Sequence, residues 1–229
     1  MTEGKGNHVT SVSTDRVDPA IVLGDNPVIA VLRARHAGEY APVVEALLAG
    51  GVRAIELTLS TAGVFDEFES LATSFGRDAS IGIGTVTTVE QAASAISAGA
   101  AFVVTPTVEA DVVGACVRAR VPVFPGGLTP TELHRGWSAG ASAVKVFPAS
   151  TVGPGYIGQL RGPFPDIQAI PSGGVGIEDT AEWVRAGAVA VSLGGPLLGD
   201  AFKGGDLGAL TQRALRVSGV VHDAMVERR

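Results

Sequence analysis

Lys145 is the residue whose type and position most clearly suggest chemistry. It lies in the run SAVKVF, residues 142–147, where every other residue is small or apolar. Burying an ammonium ion costs several kcal/mol, whereas an amine that sheds its proton in an apolar site attacks ketones and forms a Schiff base. Lys145 is therefore a candidate nucleophile. The alternatives are that its side chain turns outward past a helix, or that it only pairs with a carboxylate.

A repeated pattern predicts which carboxylate lies near this lysine. At four places a glycine and a small residue precede an apolar run, and these glycines are Gly51, Gly99, Gly140 and Gly187. Each follows an alanine-rich helical segment, which is typical of the left-handed residue just beyond a helix C terminus. Five positions after the glycines stand, in order, Glu56, Val104, Lys145 and Ser192. Alternate strands of a barrel fill the same interior layer, so this shared spacing predicts that Glu56 approaches Lys145.

The chain supplies the elements that such a barrel needs. Runs rich in β-branched residues recur at short intervals: Val28–Leu32, Ala54–Leu59, Ser80–Ile83, Ala101–Val104, Pro122–Phe124, Ala143–Phe147, Gln168–Ile170 and Val189–Leu193. Most are apolar on both faces, as buried parallel strands are, and segments with helical periodicity separate them. The strict alternation predicts a single (β/α)8 TIM barrel over residues 21–229, preceded by a flexible tail over residues 1–20.

Composition excludes several function classes. The 229 residues carry a formal net charge of −6, which offers no basic surface to nucleic acid or to an anionic membrane. The apolar stretches are broken by charge or proline well short of a membrane span. One cysteine, Cys116, and four scattered histidines provide neither a disulfide nor a set of metal ligands. We therefore expect a soluble cytoplasmic protein without a metal site.

Seven segments occur in an order and at a spacing that carry a family resemblance: Val28–Arg33, Gly51–Leu59, Gly82–Val86, Val104–Pro106, Phe124–Gly126, Lys145–Ala149 and Ser172–Val175. Together they resemble the 2-keto-3-deoxy-6-phosphogluconate (KDPG) and 4-hydroxy-2-oxoglutarate (KHG) aldolases, from about Val28 to the last helix. The resemblance implies a class I aldolase in which Lys145 forms the Schiff base and Glu56 is the general acid/base. It also implies a keto-acid substrate, no cofactor and a homotrimer. Phe147 would pack against the reacting carbons, with an ordinary core position as the alternative, and Glu56 could instead be the buried partner of an arginine.

The resemblance also assigns the pyruvyl end of the substrate. Arg33 would hold the carboxylate, because its planar fork suits that group, with Thr85 and the Thr105-Pro106 turn beside it. Other family members carry an arginine where this sequence has Ser60. That difference leaves the carboxylate to Arg33, whose alternative role is to pair with the glutamate of the second strand.

Two glycine-rich turns predict a site for a distal phosphate. Ser172, Gly173 and Gly174 follow the seventh predicted strand, and Gly194 and Gly195 follow the eighth. In barrels these loops hold phosphate through backbone N–H groups and a helix N terminus. Many relatives have a serine where Gly195 stands, so one hydroxyl donor is missing. The alternatives are that the glycines only serve the turns, or that the substrate has no phosphate.

Three aldol cleavages and one role without covalent chemistry fit these features. The first is cleavage of KDPG to pyruvate and glyceraldehyde 3-phosphate, and the second is cleavage of KHG to pyruvate and glyoxylate. The third is cleavage of the galactonate epimer of KDPG (KDPGal), because the segment GPGYI at residues 153–157 is similar to that branch of the family. A barrel that binds a sugar phosphate without covalent chemistry, as a sensor or isomerase, is the role from another class, and it would have no need of Lys145.

Overall fold

The computed structural model describes residues 16–228, which form a barrel of parallel strands. The strands are β1 (Val28–Leu32), β2 (Ala54–Thr58), β3 (Ser80–Gly84), β4 (Val103–Thr105), β5 (Val123–Gly127), β6 (Val144–Val146), β7 (Ala169–Pro171) and β8 (Val191–Leu193). Their order is β7-β6-β5-β4-β3-β2-β1-β8. A parallel bridge between Ser172 and Ser192 brings the two edges together. The predicted (β/α)8 architecture is confirmed.

Helices alternate with the strands and cover the outside of the barrel. They are α1 (Ala20–Leu23), α2 (Tyr40–Ala49), α3 (Val64–Phe75), α4 (Val89–Ser97), α5 (Ala110–Arg118), α6 (Pro130–Ser138), α7 (Gly155–Arg161), α8 (Thr180–Arg185), α9 (Gly195–Leu198) and α10 (Leu207–Glu227). Capping boxes begin α4 at Thr88 and α6 at Thr129, where side chains satisfy N–H groups that lack helical partners. Among the described residues, no helix combines the length and apolar character that crossing a membrane requires.

The barrel interior is apolar at the amino ends of the strands. Phe102 and Phe124 fill it, with ring centroids 5.7 Å apart, beside small residues such as Ala54 and Ala143. Val22 of the short helix α1 belongs to the same buried cluster. Large rings therefore fill the interior at the amino ends of the strands, where small residues leave room for them. Buried polar side chains are left to the carboxyl ends.

The glycine repeat behaves as its spacing predicts. The four glycines have positive φ angles between 83° and 109°, and they are Gly51, Gly99, Gly140 and Gly187. One strand runs further than expected, since β5 extends through Gly127 where the sequence predicts an end at Phe124. The PGG segment has the composition of a turn, but a side chain at Gly126 would lie 2.6 Å from the backbone oxygen of Pro106. The glycine lets the ends of β4 and β5 pack closely.

The described chain begins at Arg16, whose guanidinium lies 3.3 Å from the ring centroid of Trp137. Residues 1–15 of the predicted tail lie outside the described residues. The division into a tail over 1–20 and one domain over 21–229 stays a prediction.

Candidate active site

Two buried charged side chains face each other inside the barrel. Glu56, from the middle of β2, is 2% exposed, and Lys145, from the middle of β6, is 9% exposed. The distance between Lys145 Nζ and Glu56 Oε1 is 3.8 Å. The approach that the glycine repeat predicts is therefore present, and the outward orientation of Lys145 is not.

The glutamate is placed by a glycine on the neighbouring strand. The carboxyl group of Glu56 lies over Gly84 of β3, where a Cβ atom would come within 2.6 Å of the carboxyl carbon. Its Oε2 atom is buried and has no hydrogen-bond partner in the described part of the chain. Leaving a buried carboxylate oxygen without a partner costs free energy. Such an unpaired oxygen is typical of a group that binds a ligand or takes part in a reaction.

A cavity of about 410 Å³ opens from this pair at the carboxyl ends of the strands. It contains Lys145 and Glu56 and nearly all the other residues predicted to bind substrate, which are Arg33, Thr85, Pro106, Phe147, Ser172, Gly173, Gly174, Gly194 and Gly195. The exception is Thr105, which is fully buried and whose hydroxyl donates to the carbonyl of Thr107. The structure therefore places Thr105 at the end of β4, behind Pro106, rather than on the cavity wall.

Arg33 follows β1, and Ser60 holds its side chain in place. Its Nε donates to Ser60 Oγ at 3.1 Å, and Ser60 Oγ lies 3.0 Å from Thr58 Oγ1. Thr58 in turn donates to the carbonyl of Leu32 at 3.0 Å. Within the described residues, the cation at ion-pair distance from Glu56 is Lys145 and not Arg33. The guanidinium is thus held at the cavity rim by the Ser60 hydroxyl instead of by the Glu56 carboxylate.

Thr85 and Phe147 both line the cavity. Thr85, directly after β3, has a positive φ of 63°, a conformation that is uncommon for a threonine and is often found at functional sites. Phe147 is 39% exposed, and its ring centroid lies 5.4 Å from Lys145 Nζ. Phe147 is therefore a wall of the cavity and not a core residue.

The glycine turns form the adjoining part of the wall. Gly173 and Gly174 both have positive φ angles, and a Cβ at Gly173 would lie 2.9 Å from the Phe147 ring. Ser172 Oγ donates to Ser192 Oγ at 3.2 Å, which fixes the start of this turn against β8. Gly195 begins α9 and has open space where a side chain would stand. At Gly195, backbone without an overlying side chain therefore lines the cavity.

Comparison with known proteins assigns the chain to a family. The family model described as KDPG and KHG aldolase matches residues 20–212. The chain belongs to this aldolase family.

Individual relatives agree with the assignment. A 2-dehydro-3-deoxy-phosphogluconate aldolase from Pseudoalteromonas atlantica is 35% identical over 201 residues, which cover 87% of this chain and 93% of that protein. A 2-dehydro-3-deoxy-6-phosphogalactonate aldolase from Escherichia coli is 35% identical over 172 residues, covering 75% of this chain and 84% of that protein. The structure of KDPG aldolase from Legionella pneumophila with pyruvate captured as a covalent carbinolamine intermediate has a TM-score of 0.80 at 29% identity, covering 87% and 98% of the two chains.

The aldolase is a lyase, and its cavity suits class I chemistry. An amine and a carboxylate 3.8 Å apart can supply a nucleophile and an adjacent proton acceptor in a site largely shielded from water. No three His, Cys, Asp or Glu side chains of residues 16–228 converge as metal ligands. Residues 153–158, which match the pattern GxGxxG, lie outside the cavity wall and begin α7 rather than following a strand.

Sequence reasoning missed several residues of the aldolase's cavity. They follow β8 in the chain and are Pro196, Leu198, Gly199, Phe202 and Lys203. Four of them carry no signal beyond an ordinary loop. Lys203 does, because the chain contains only three lysines and two of them, Lys145 and Lys203, line this cavity.

Proposed function

We propose that this aldolase cleaves KDPG to pyruvate and glyceraldehyde 3-phosphate, with Lys145 as Schiff-base nucleophile and Glu56 as general acid/base. The observation that carries the proposal is the buried pair itself. The 3.8 Å separation exceeds hydrogen-bond distance, and Glu56 Oε2 is left without a protein partner. In a charge-assisted hydrogen bond the two groups would lie about 2.7–2.9 Å apart, so the wider spacing leaves both groups available to a ligand.

Each step has a group in reach. Glu56 accepts the proton of the Lys145 ammonium, and the free amine attacks the C2 ketone to give a carbinolamine. Protonation of the carbinolamine hydroxyl by Glu56 expels water and leaves an iminium ion. The iminium accepts the electron pair of the breaking C3–C4 bond while Glu56 takes the C4 hydroxyl proton, releasing the aldehyde. Glu56 then protonates the enamine at C3, and water hydrolyses the imine to pyruvate and free lysine.

The cavity wall supports one orientation of the substrate. Arg33, Thr85 and Pro106 would surround the pyruvyl carboxylate, because the fixed guanidinium of Arg33 suits that group. Phe147 would pack on the carbons near the imine. The glycine turns at Ser172–Gly174 and Gly194–Gly195 would receive the distal phosphate through backbone N–H groups.

The KDPGal epimer is a second candidate substrate. The 35% identity to the E. coli phosphogalactonate aldolase equals the identity to the P. atlantica enzyme, so overall similarity favours neither epimer. KHG, which lacks a phosphate, is a third. Rates on the three acids, measured by coupling pyruvate release to lactate dehydrogenase, rank them directly. Equal or higher kcat/KM on KDPGal would displace KDPG from the proposal.

Borohydride trapping tests the covalent step. Reduction of the enzyme with pyruvate present should add one reduced pyruvyl group to Lys145, located by peptide mass spectrometry. Lys145→Arg keeps a cation opposite Glu56 but cannot form an imine, so it should fold, lose the adduct and lose turnover. Lys203→Arg, which removes the other lysine of the cavity, should keep the adduct. A folded wild-type enzyme without adduct would instead favour the non-covalent sugar-phosphate binder.

Assembly and location complete the proposal. We propose a homotrimer in the cytoplasm, following what the family resemblance implies. Tryptophans often anchor subunit contacts. Trp183 is buried in the core and cannot serve there, whereas Trp137 is only partly buried. Sedimentation equilibrium would give the subunit number, and a dissociated monomer with full activity would refute the trimer.

A further inference from the structure

Lys203 is the cavity residue whose role the proposed reaction leaves open. It ends a short 3-10 helix, Ala201–Lys203, in the loop between α9 and α10. Its side chain is exposed and lines the same cavity as Lys145 and Glu56. Because this 3-10 helix and its loop follow β8 and α9 in the chain, Lys203 lies on the side of the cavity that Gly194 and Gly195 form.

The charges of the cavity do not balance without an anionic ligand. Its wall holds three cations, Arg33, Lys145 and Lys203, and one carboxylate, that of Glu56. Lys145 faces Glu56 at 3.8 Å, and Arg33 is fixed at the rim by Ser60. A chain of net charge −6 that concentrates positive charge in one cleft attracts anionic substrates to it. One carboxylate would match Arg33, which leaves Lys203 for a second anionic group.

The other basic side chain near this loop is already engaged. Arg213 of α10 donates from Nε to the carbonyl of Leu197 at 2.7 Å and from a terminal nitrogen to that of Leu198 at 2.9 Å. Those bonds hold α9 in place. The Lys203 side chain, by contrast, makes no hydrogen bond or ion pair with the described residues, so its ammonium is available to a ligand.

The adjacent backbone explains why a long side chain is useful here. A Cβ at Gly195 would meet no atom within 4 Å, so space lies open between the start of α9 and the cavity. Backbone donors alone carry no net charge, whereas a phosphate monoester is close to a dianion at neutral pH. A flexible lysine can cross such a space and supply the missing charge.

We propose that the Lys203 ammonium binds the distal phosphate of the substrate and sets the preference for phosphorylated over unphosphorylated keto acids. This inference rests on the proposed function, because it assigns one end of the same cavity. It makes Lys203 a specificity-determining residue that touches the substrate far from the bond that breaks.

Lys203→Met tests the assignment, since it keeps the length of the side chain and removes the charge. We expect kcat/KM for KDPG to fall about 10-fold, mainly through KM, as for the loss of one charge-assisted contact at a partly exposed site. The unphosphorylated acid 2-keto-3-deoxygluconate should change less than about 2-fold. Lys203→Arg should retain most of the wild-type preference. The matched control is Arg77→Met, which removes one positive charge beside the amino end of β3, at the opposite end of the barrel.

Two further measurements separate the possible failures. Exchange of pyruvate methyl protons with D2O uses Lys145 and Glu56 but no distal anion, so Lys203→Met should leave it unchanged. Loss of exchange in the wild type would refute the proposed function. Binding of glycerol 3-phosphate, followed by calorimetry, should weaken in Lys203→Met whatever the reaction is.

Specific outcomes would overturn the inference. Equal losses on the phosphorylated and unphosphorylated acids would show a general effect on the cavity. An unchanged KM for KDPG would show that the ammonium does not touch the phosphate. A selective loss on KHG, whose distal group is a carboxylate, would assign Lys203 to that anion instead.

Discussion

Gly84→Ala should disable the proposed acid/base step while leaving the proposed nucleophile, Lys145, in place. The added Cβ would lie 2.6 Å from the carboxyl carbon of Glu56, whereas non-bonded carbon atoms rest about 3.5–4.0 Å apart. The carboxyl group must therefore retreat by about 1 Å. Its distance from Lys145 Nζ is already 3.8 Å. A displacement of this size in a catalytic group costs on the order of 100-fold in rate, within the 10²–10⁴-fold range expected of general acid–base catalysis.

The assay is exchange of the pyruvate methyl protons with D2O, followed by proton NMR. Glu56→Gln gives the rate without a functional carboxylate, and we expect Gly84→Ala to approach it. Borohydride trapping carried to completion should still label Lys145, because the amine itself is not displaced. Overpacking of the barrel should lower the free energy of unfolding by about 1–3 kcal/mol, so exchange is measured below the thermal transition of each variant.

Gly82→Ala is the matched control on the same strand. Its Cβ would lie 2.6 Å from the Phe102 ring, so the closest overlap falls on the apolar end of the barrel rather than on the Glu56 carboxyl group. This variant should lose stability but keep the exchange rate per folded molecule. A folded Gly84→Ala enzyme that exchanges within about 3-fold of wild type would refute the reasoning, because the rate should depend on the position of the carboxylate.

Two other predictions concern the carboxylate rim and the pH dependence of stability. Ser60→Ala removes the acceptor that holds Arg33 Nε at 3.1 Å, and because the contact is exposed we expect KM for the keto acid to rise about 2- to 5-fold with kcat unchanged; a lower kcat at constant KM would contradict a positioning role. Burial raises the pKa of the Cys116 thiol from 9.0 to about 11. Between these values the folded protein retains a proton that the unfolded chain has released, so stability is complete below about pH 9 and falls by about 1–3 kcal/mol as the pH rises toward 11. The free energy of unfolding in urea, measured at about pH 8 and about pH 10.5, should decrease less in Cys116→Ala than in wild type. Equal decreases would exclude the thiol as the cause.

Local patterns were sufficient for the architecture. The alternation of apolar runs with helical segments identifies the barrel because buried parallel strands must be apolar on both faces. The shared spacing from Gly51 and Gly140 places Glu56 and Lys145 in one interior layer, since alternate strands of a barrel are in register there. Both properties depend on periodicity along the chain, and the sequence displays periodicity directly.

Contacts between distant segments were decided by the tertiary structure alone. Nothing near Gly84 in the chain indicates that its missing side chain makes room for Glu56, nor that Ser60 reaches Arg33. Thr105 belongs to a motif of the family, yet its hydroxyl turns back to Thr107 and leaves the wall to Pro106. Lys203 enters the cavity only because β8 closes the barrel beside β1 and carries the following loop over the opening. Such contacts depend on which surfaces meet when the sheet closes, and closure joins residues that are far apart in sequence.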